Sequence, residues 1–269
     1  MIDILIDAGN SRIKVCFVDS QNETPQSYLV INHIHIDELK KWVADLPDLP
    51  KRAFGVNVAG QVIKAQIESM MPCPVKWLKS EPQTLCLTSA YRHEQLGADR
   101  WYALLGLRWH CPKDVAMLVS MGTATTIDSI SEANEFLGGL ILPGTLMMTK
   151  SLHSGTANLP QVRVDKKVYF PPDFPVNTVD AIRSGIIAAQ CGAILRQWQA
   201  LKSYYAQKGV VKEPKIYLSG GARHDIIPEL KQQFLRLEGY EPVLSEIRFP
   251  VLDGLRFYAS KISADGVVG

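Results

Sequence analysis

Apolar positions along this chain recur at two spacings, and each change of spacing marks a new element. Ile2 to Asp7 and Ile13 to Val18 are short apolar runs that predict two strands joined by the small polar turn Ala8-Gly9-Asn10-Ser11. After Asp37, an expected N-cap, Leu39, Trp42, Val43 and Leu46 recur on one helical face. Pro47 to Pro50 end that helix, and Arg52 to Val58 return as a buried strand. Gln61 to Met70 give a second helix with Val62, Ile63, Ile67 and Met70 on its stripe, followed by a short strand at Val75 to Leu78. This alternation predicts an α/β fold.

The pattern then starts again. Val115 to Ser120 and Thr125 to Ile130 predict a second pair of strands around the turn Met121-Gly122-Thr123-Ala124, so that Gly122 echoes Gly9. Two related halves are expected, residues 1–114 and 115–269, linked by an amphipathic helix over Trp101 to Cys111 that bears Leu104, Leu105 and Arg108. A long helix runs from a cap at Asn177 or Thr178 towards Gly209; then come a strand at Lys215 to Leu218 and the turn Ser219-Gly220-Gly221. Helices at Ile226 to Leu237 and Val251 to Ile262 complete the chain, the last able to pack back on the first half. On the long helix, Ile182, Ile186 and Ala189 predict the core face, whereas Ile187, Ala188 and Cys191 need other cover; a second copy of the chain is the simplest.

Charge and composition narrow the partners. Lys and Arg number 29 against 27 Asp and Glu, and no basic run or aromatic-basic stripe marks a nucleic-acid face. The longest uncharged stretch, Phe136 to Thr149, contains Gly and Pro and is too short for a membrane span, and Met1 to Leu5 lack a basic leader region. Five cysteines, odd in number and without a CxxC pair, suit a reducing compartment, so a cytoplasmic protein is expected. His33 and His35 fall on an apparent strand from Ile31 to Ile36, where a solvated face is expected rather than a zinc site.

The glycine turns carry the first candidate chemistry. A turn without a Cβ exposes successive N–H groups able to hold phosphate oxygens; Asn10, Ser11, Thr123 and Thr125 add side-chain donors, and Lys14 adds a full charge. Asp7, at the strand end, is placed to hold Mg²⁺. Each turn taken alone is equally an ordinary β-hairpin, and Asp7 equally a turn cap. No Walker sequence, kinase signature or GxGxxG after the first strand is present, so ATP would be held by another device. Gly97-Ala98-Asp99-Arg100 opens a helix, where Asp99 reads either as a first-turn cap or as an acceptor for a hydroxyl proton, and Arg100 suits a carboxylate.

Taken together these segments resemble one family. Asp7-Ala8-Gly9-Asn10-Ser11-Arg12-Ile13-Lys14 is similar to the DxGNTxxK phosphate motif of type III pantothenate kinases, with Ser11 at the usual Thr. Tyr91 with Leu96-Gly97-Ala98-Asp99-Arg100 resembles the Y…GxDR substrate motif, and Gly122 to Asp128 the second phosphate motif. Gly138-Gly139 to Pro143-Gly144, Asn177-Thr178 and Ser219-Gly220-Gly221 match further segments in the right order. The resemblance implies two ribonuclease-H-like, actin-like ATPase lobes with a nucleotide cleft between them, and ATP-dependent phosphorylation of pantothenate. The alternatives are a kinase for another small hydroxylated metabolite and a nucleotide-binding regulator without turnover. It further implies Asp99 as general base; Tyr91, Gly97, Ala98, Arg100 and Thr178 around pantothenate; and residues 7–14 with Thr123 around ATP and Mg²⁺. A homodimer whose partner completes the pantothenate pocket is also implied. One position departs: Ser120 stands where the family carries an Asp that helps bind a monovalent cation, so a K⁺ or NH₄⁺ site here is in question.

Overall fold

The computed structural model describes residues 2–19, 22–162 and 169–262, with the side chains of residues 22 and 23 excepted. The chain opens with strands β1 (Ile2–Ala8), β2 (Arg12–Asp19) and β3 (Asn22–Asn32), then α1 (Glu38–Ala44), β4 (Pro50–Asn57), α2 (Gln61–Met70) and β5 (Val75–Trp77). Two short strands, β6 (Gln83–Thr84) and β7 (Leu87–Ser89), precede α3 (Ala98–His110). There follow β8 (Ala116–Met121), β9 (Ala124–Ile130), β10 (Glu135–Pro143), α4 (Thr145–Gly155) and α5 (Thr178–Ala206). The chain closes with β11 (Lys215–Ser219), α6 (Arg223–Glu238), β12 (Leu244–Glu246) and α7 (Pro250–Ser260). It divides into two units: residues 1–113, 134–136 and 249–269 form the first, and 114–133 and 137–248 the second.

The first unit is built on a sheet ordered β3-β2-β1-β4-β5, antiparallel across β1 and β2 and parallel across β1 and β4. β1 is buried along its whole length because both faces are covered. Ile4, Ile6 and Ala8 pack with Leu39 of α1 and Ile67 of α2. On the opposite face α7 lies against β1 and β2, and α3 against β4. The two helices cross at Gly106 and Gly254, where a Cβ on either glycine would overlap backbone of the other helix. Asp3 fixes the end of the unit by accepting from Arg52 at 2.9 and 2.5 Å while Arg52 also donates to the Ile262 carbonyl.

The second unit has β12, β11, β8, β9 and β10 side by side, with β11 parallel to both its neighbours. Met117, Val119, Met121 and Ile127 of its sheet meet Ile187, Cys191, Ile194 and Trp198 of α5, and Ile226, Leu230 and Phe234 of α6. By length and composition α5 is apolar enough to cross a membrane, but its Ile187, Ile194, Leu195 and Trp198 fill this core.

Several expectations are corrected. The chain over Ile31 to Ile36 is not a strand: β3 ends at Asn32, opposite Arg12 where β2 begins, and His33 to His35 form a 3₁₀ turn. The Asp37 side chain makes no capping hydrogen bond. Val62 is exposed and only Ile63, Ile67 and Met70 of its stripe reach the core. α3 is not amphipathic, since Arg100 to Arg108 are all buried. Ile187 and Cys191 are covered by their own unit, whereas Ala188 is exposed as expected and Ala189, expected on the core face, is exposed as well, so that the exposed side of α5 carries the small-residue row Ala181, Gly185, Ala188, Ala189 and Gly192.

Candidate active site

The Gly9 turn is the hairpin between β1 and β2, closed by Gly9 N–H donating to the Arg12 carbonyl at 3.0 Å. Ala8 and Ile13 are fully buried and anchor it, which leaves Asn10, Ser11 and Arg12 exposed at the tip. Below the tip, Asp7 is buried and its Oδ2 takes a hydrogen bond from Lys14 Nζ at 2.7 Å; the two face each other across the β1/β2 pair. A carboxylate oxygen at this turn is the donor class that Mg²⁺ prefers, so the residues fit that ion as one ligand among phosphate oxygens and waters. Sequence reasoning missed His33. Its Nε2–H donates to the Gly9 carbonyl at 2.9 Å, since a carbonyl can only accept, and so pins the turn from the 3₁₀ segment that follows β3.

Asp99 and Arg100 occupy the first turn of α3, with Gly97 as its N-cap. The Asp99 carboxylate accepts from the Arg100 N–H at 2.9 Å and lies where a Gly97 Cβ would come within 2.5 Å, so the glycine leaves it room. Arg100 is 8% exposed, and its guanidinium carbon lies 5.8 Å from the ring centre of Tyr91 and 5.8 Å from that of Phe136. Tyr91, Gly97, Ala98, Asp99 and Arg100 all belong to the first unit, together with residues 7–14.

In the second unit, the Gly122 turn is the β8/β9 hairpin, with Gly122 N–H donating to the Ala124 carbonyl at 3.0 Å and Thr123 exposed. Two other sequence signals converge on it. Gly144, the N-cap of α4, donates its N–H to the Thr123 carbonyl at 3.0 Å, and a Cβ there would overlap the Gly122 and Thr123 carbonyls. Gly220, at φ +89°, lies equally close to Met121. The N-terminal amides of α4 are thereby brought beside the turn, a second set of anion donors. Thr125, nominated as a donor, instead buries its hydroxyl. Thr178 begins α5 beyond the cap Asn177, whose Oδ1 accepts from Asp180 N–H at 2.9 Å, and lies in an open groove of about 860 Å³ with Pro143, Met148, Leu159 and Ile182. Ser120 is half-buried opposite Thr126, and Asp128 lies two residues along the same face of β9.

Burial pushes the Cys16 and Cys191 thiols well above their ordinary range, which suits inert core residues. Among the described residues no group of three His, Cys, Asp or Glu side chains is placed to hold a metal.

Residues 3–200 match the family model described as type III pantothenate kinase. The chain belongs to that family. A type III pantothenate kinase of Bordetella bronchiseptica is 41% identical, over 96% of this chain and 97% of that protein. One from a Janthinobacterium species is 34% identical, over 87% and 92%. The fold is the α/β actin-like ATPase fold. A conserved putative Baf family transcriptional activator from Campylobacter jejuni has a similar structure (TM-score 0.54, 23% identity, 95% of this chain and 96% of that one). So does component A of the (R)-2-hydroxyglutaryl-CoA dehydratase of Acidaminococcus fermentans (TM-score 0.52, 10% identity, 97% and 96%).

Proposed function

We propose that this chain transfers a phosphoryl group from ATP to the primary 4′-hydroxyl of pantothenate, giving 4′-phosphopantothenate, the first step of coenzyme A synthesis. The observation that carries this reading is the pairing, at the start of α3, of a carboxylate, Asp99, with a guanidinium, Arg100, beside Tyr91 in a member of this family. Pantothenate has a hydroxyl to be deprotonated and a carboxylate to be held. Asp99 orients the hydroxyl and takes its proton, while Arg100 bonds the carboxylate. Tyr91, Gly97 and Ala98, all in the first unit, line the acceptor site.

Phosphoryl transfer has a loose transition state, so the protein contributes mainly position and charge. The amides of Asn10 and Ser11 at the exposed tip hold phosphate oxygens, their side chains add donors, and Thr123 with the α4 amides serves the second turn. Lys14 brings a positive charge, and Asp7 holds it in place beside the turn. Mg²⁺ held by Asp7 would supply neutralisation of the phosphate charge. ADP release measured with ATP and a panel of pantothenate, glycerol, acetate and a hexose should be stimulated by pantothenate alone. Stimulation by another acceptor and not by pantothenate would overturn the reading.

For the monovalent cation we propose a weakened site that is still used. Ser120 keeps an oxygen but lacks the charge of a carboxylate, and Asp128, on the same sheet face, supplies a compensating one nearby. K⁺ should therefore stimulate turnover relative to a bulky organic cation at equal ionic strength, and more strongly in Ser120→Asp. Equal rates with K⁺, NH₄⁺ and the organic cation would rule the site out.

We also propose a cytoplasmic homodimer. Family membership supports it, as does the exposed small-residue row of α5; Phe174 and Val176, shortly before that helix in the chain, are exposed too. Sedimentation at micromolar concentration should give a dimer; a fully active monomer would contradict it.

A further inference from the structure

Residues 134–136 belong to the first unit although the chain on either side of them belongs to the second. They enter as the start of β10, which pairs in parallel with β7, so that Phe136 lies opposite Ser89. The Ser89 hydroxyl oxygen accepts from the Tyr91 N–H at 2.9 Å, closing the turn that presents Tyr91. The Tyr91 ring then stacks back on Phe136, with centroids 5.7 Å apart and planes inclined by 27°. Arg100 is thus set against two nearly parallel rings at equal distances, while Phe136 itself is only 3% exposed. A planar cation against aromatic faces is attracted by their quadrupoles and loses rotational freedom.

We infer that Phe136 is a positioning residue that acts through Arg100, holding the guanidinium in the orientation that receives the acceptor's carboxylate. Phe136 thereby sets the preference for an acid acceptor over an uncharged one. The inference rests on the role proposed above for Arg100. An aliphatic side chain at 136 fills the volume and still packs against the Tyr91 ring, but it gives neither the flat wall nor the quadrupole, so Arg100 loses its reference surface.

The test compares steady-state turnover of pantothenate with that of its alcohol analogue, in which CH₂OH replaces the carboxylate, in the full-length wild-type protein, Phe136→Leu, Phe136→Met and Phe136→Tyr. Wild type should prefer the acid. Leu and Met should raise KM for pantothenate about tenfold, the scale of a desolvated cation–π contact. They should leave KM for ATP and turnover of the alcohol unchanged, and Tyr should restore the preference. Equal losses for both acceptors, a matching rise in KM for ATP, or no loss at all would overturn the inference. Loss of folding in Leu together with normal discrimination in Met would overturn it too, by assigning Phe136 a packing role. If wild type turned over neither acceptor, the kinase reading itself would fall; equal wild-type turnover of the two would instead remove the carboxylate role of Arg100.

Discussion

Replacing Asp99 by asparagine is expected to leave a folded protein whose kcat falls about 10²- to 10⁴-fold, the usual cost of removing a general base. The amide has nearly the same shape, and its Oδ1 can still accept the 2.9 Å hydrogen bond from the Arg100 N–H, so the first turn of α3 survives. It lacks the basicity to take a proton from the acceptor hydroxyl. Thermal unfolding should change little while turnover collapses. A variant with wild-type kcat would reduce Asp99 to a first-turn residue favoured by the helix dipole.

Gly254→Ala should damage the fold more than any substitution at the substrate-facing tips. A Cβ at Gly254 would overlap the Tyr102 carbonyl and crowd the Gly106 backbone N, so the new methyl meets main chain on α3 rather than a movable side chain. Overpacking of this kind costs about 3 kcal/mol. The effect should appear as a lower denaturant midpoint with an unchanged slope. Turnover should fall with it, because α3 carries Asp99 and Arg100 at its start. An unchanged midpoint would mean that the helices can separate at their crossing without loss.

The contrast between these two sites explains what the amino-acid pattern discloses. β1 and β4 are legible as short apolar runs that end up buried, α2 because most of its apolar stripe reaches the core, and α5 because Asn177 caps it and a long apolar run follows. β3 is not, since Asn22 to Asn32 carries Pro25 and several polar residues and is held by pairing with β2 rather than by an apolar face. β10 hides for another reason: Gly138 and Gly139 break its alternation. The excess apolar surface of α3 is visible along the chain, but its cover, α7, lies more than a hundred residues away and leaves no local mark on it.

The candidate site divides in the same way. Asp7, Gly9, Lys14, Asp99 and Arg100 stand in spaced motifs that can be read directly. His33 and Phe136 act on those residues through a backbone carbonyl and through ring faces, contacts made by tertiary placement alone. Gly144 and Gly220 are visible as glycines, yet only the fold shows that both close on the Gly122 turn.

The most direct test of the central claim is the identity of the product formed from ATP and pantothenate, read by mass spectrometry and ³¹P NMR. The account predicts one phosphate added per ADP released, as a monoester on the 4′-oxygen, and loss of that product in Asp99→Asn. Phosphate released to water at the same rate with and without pantothenate, or a phosphate carried on the carboxylate instead, would contradict it.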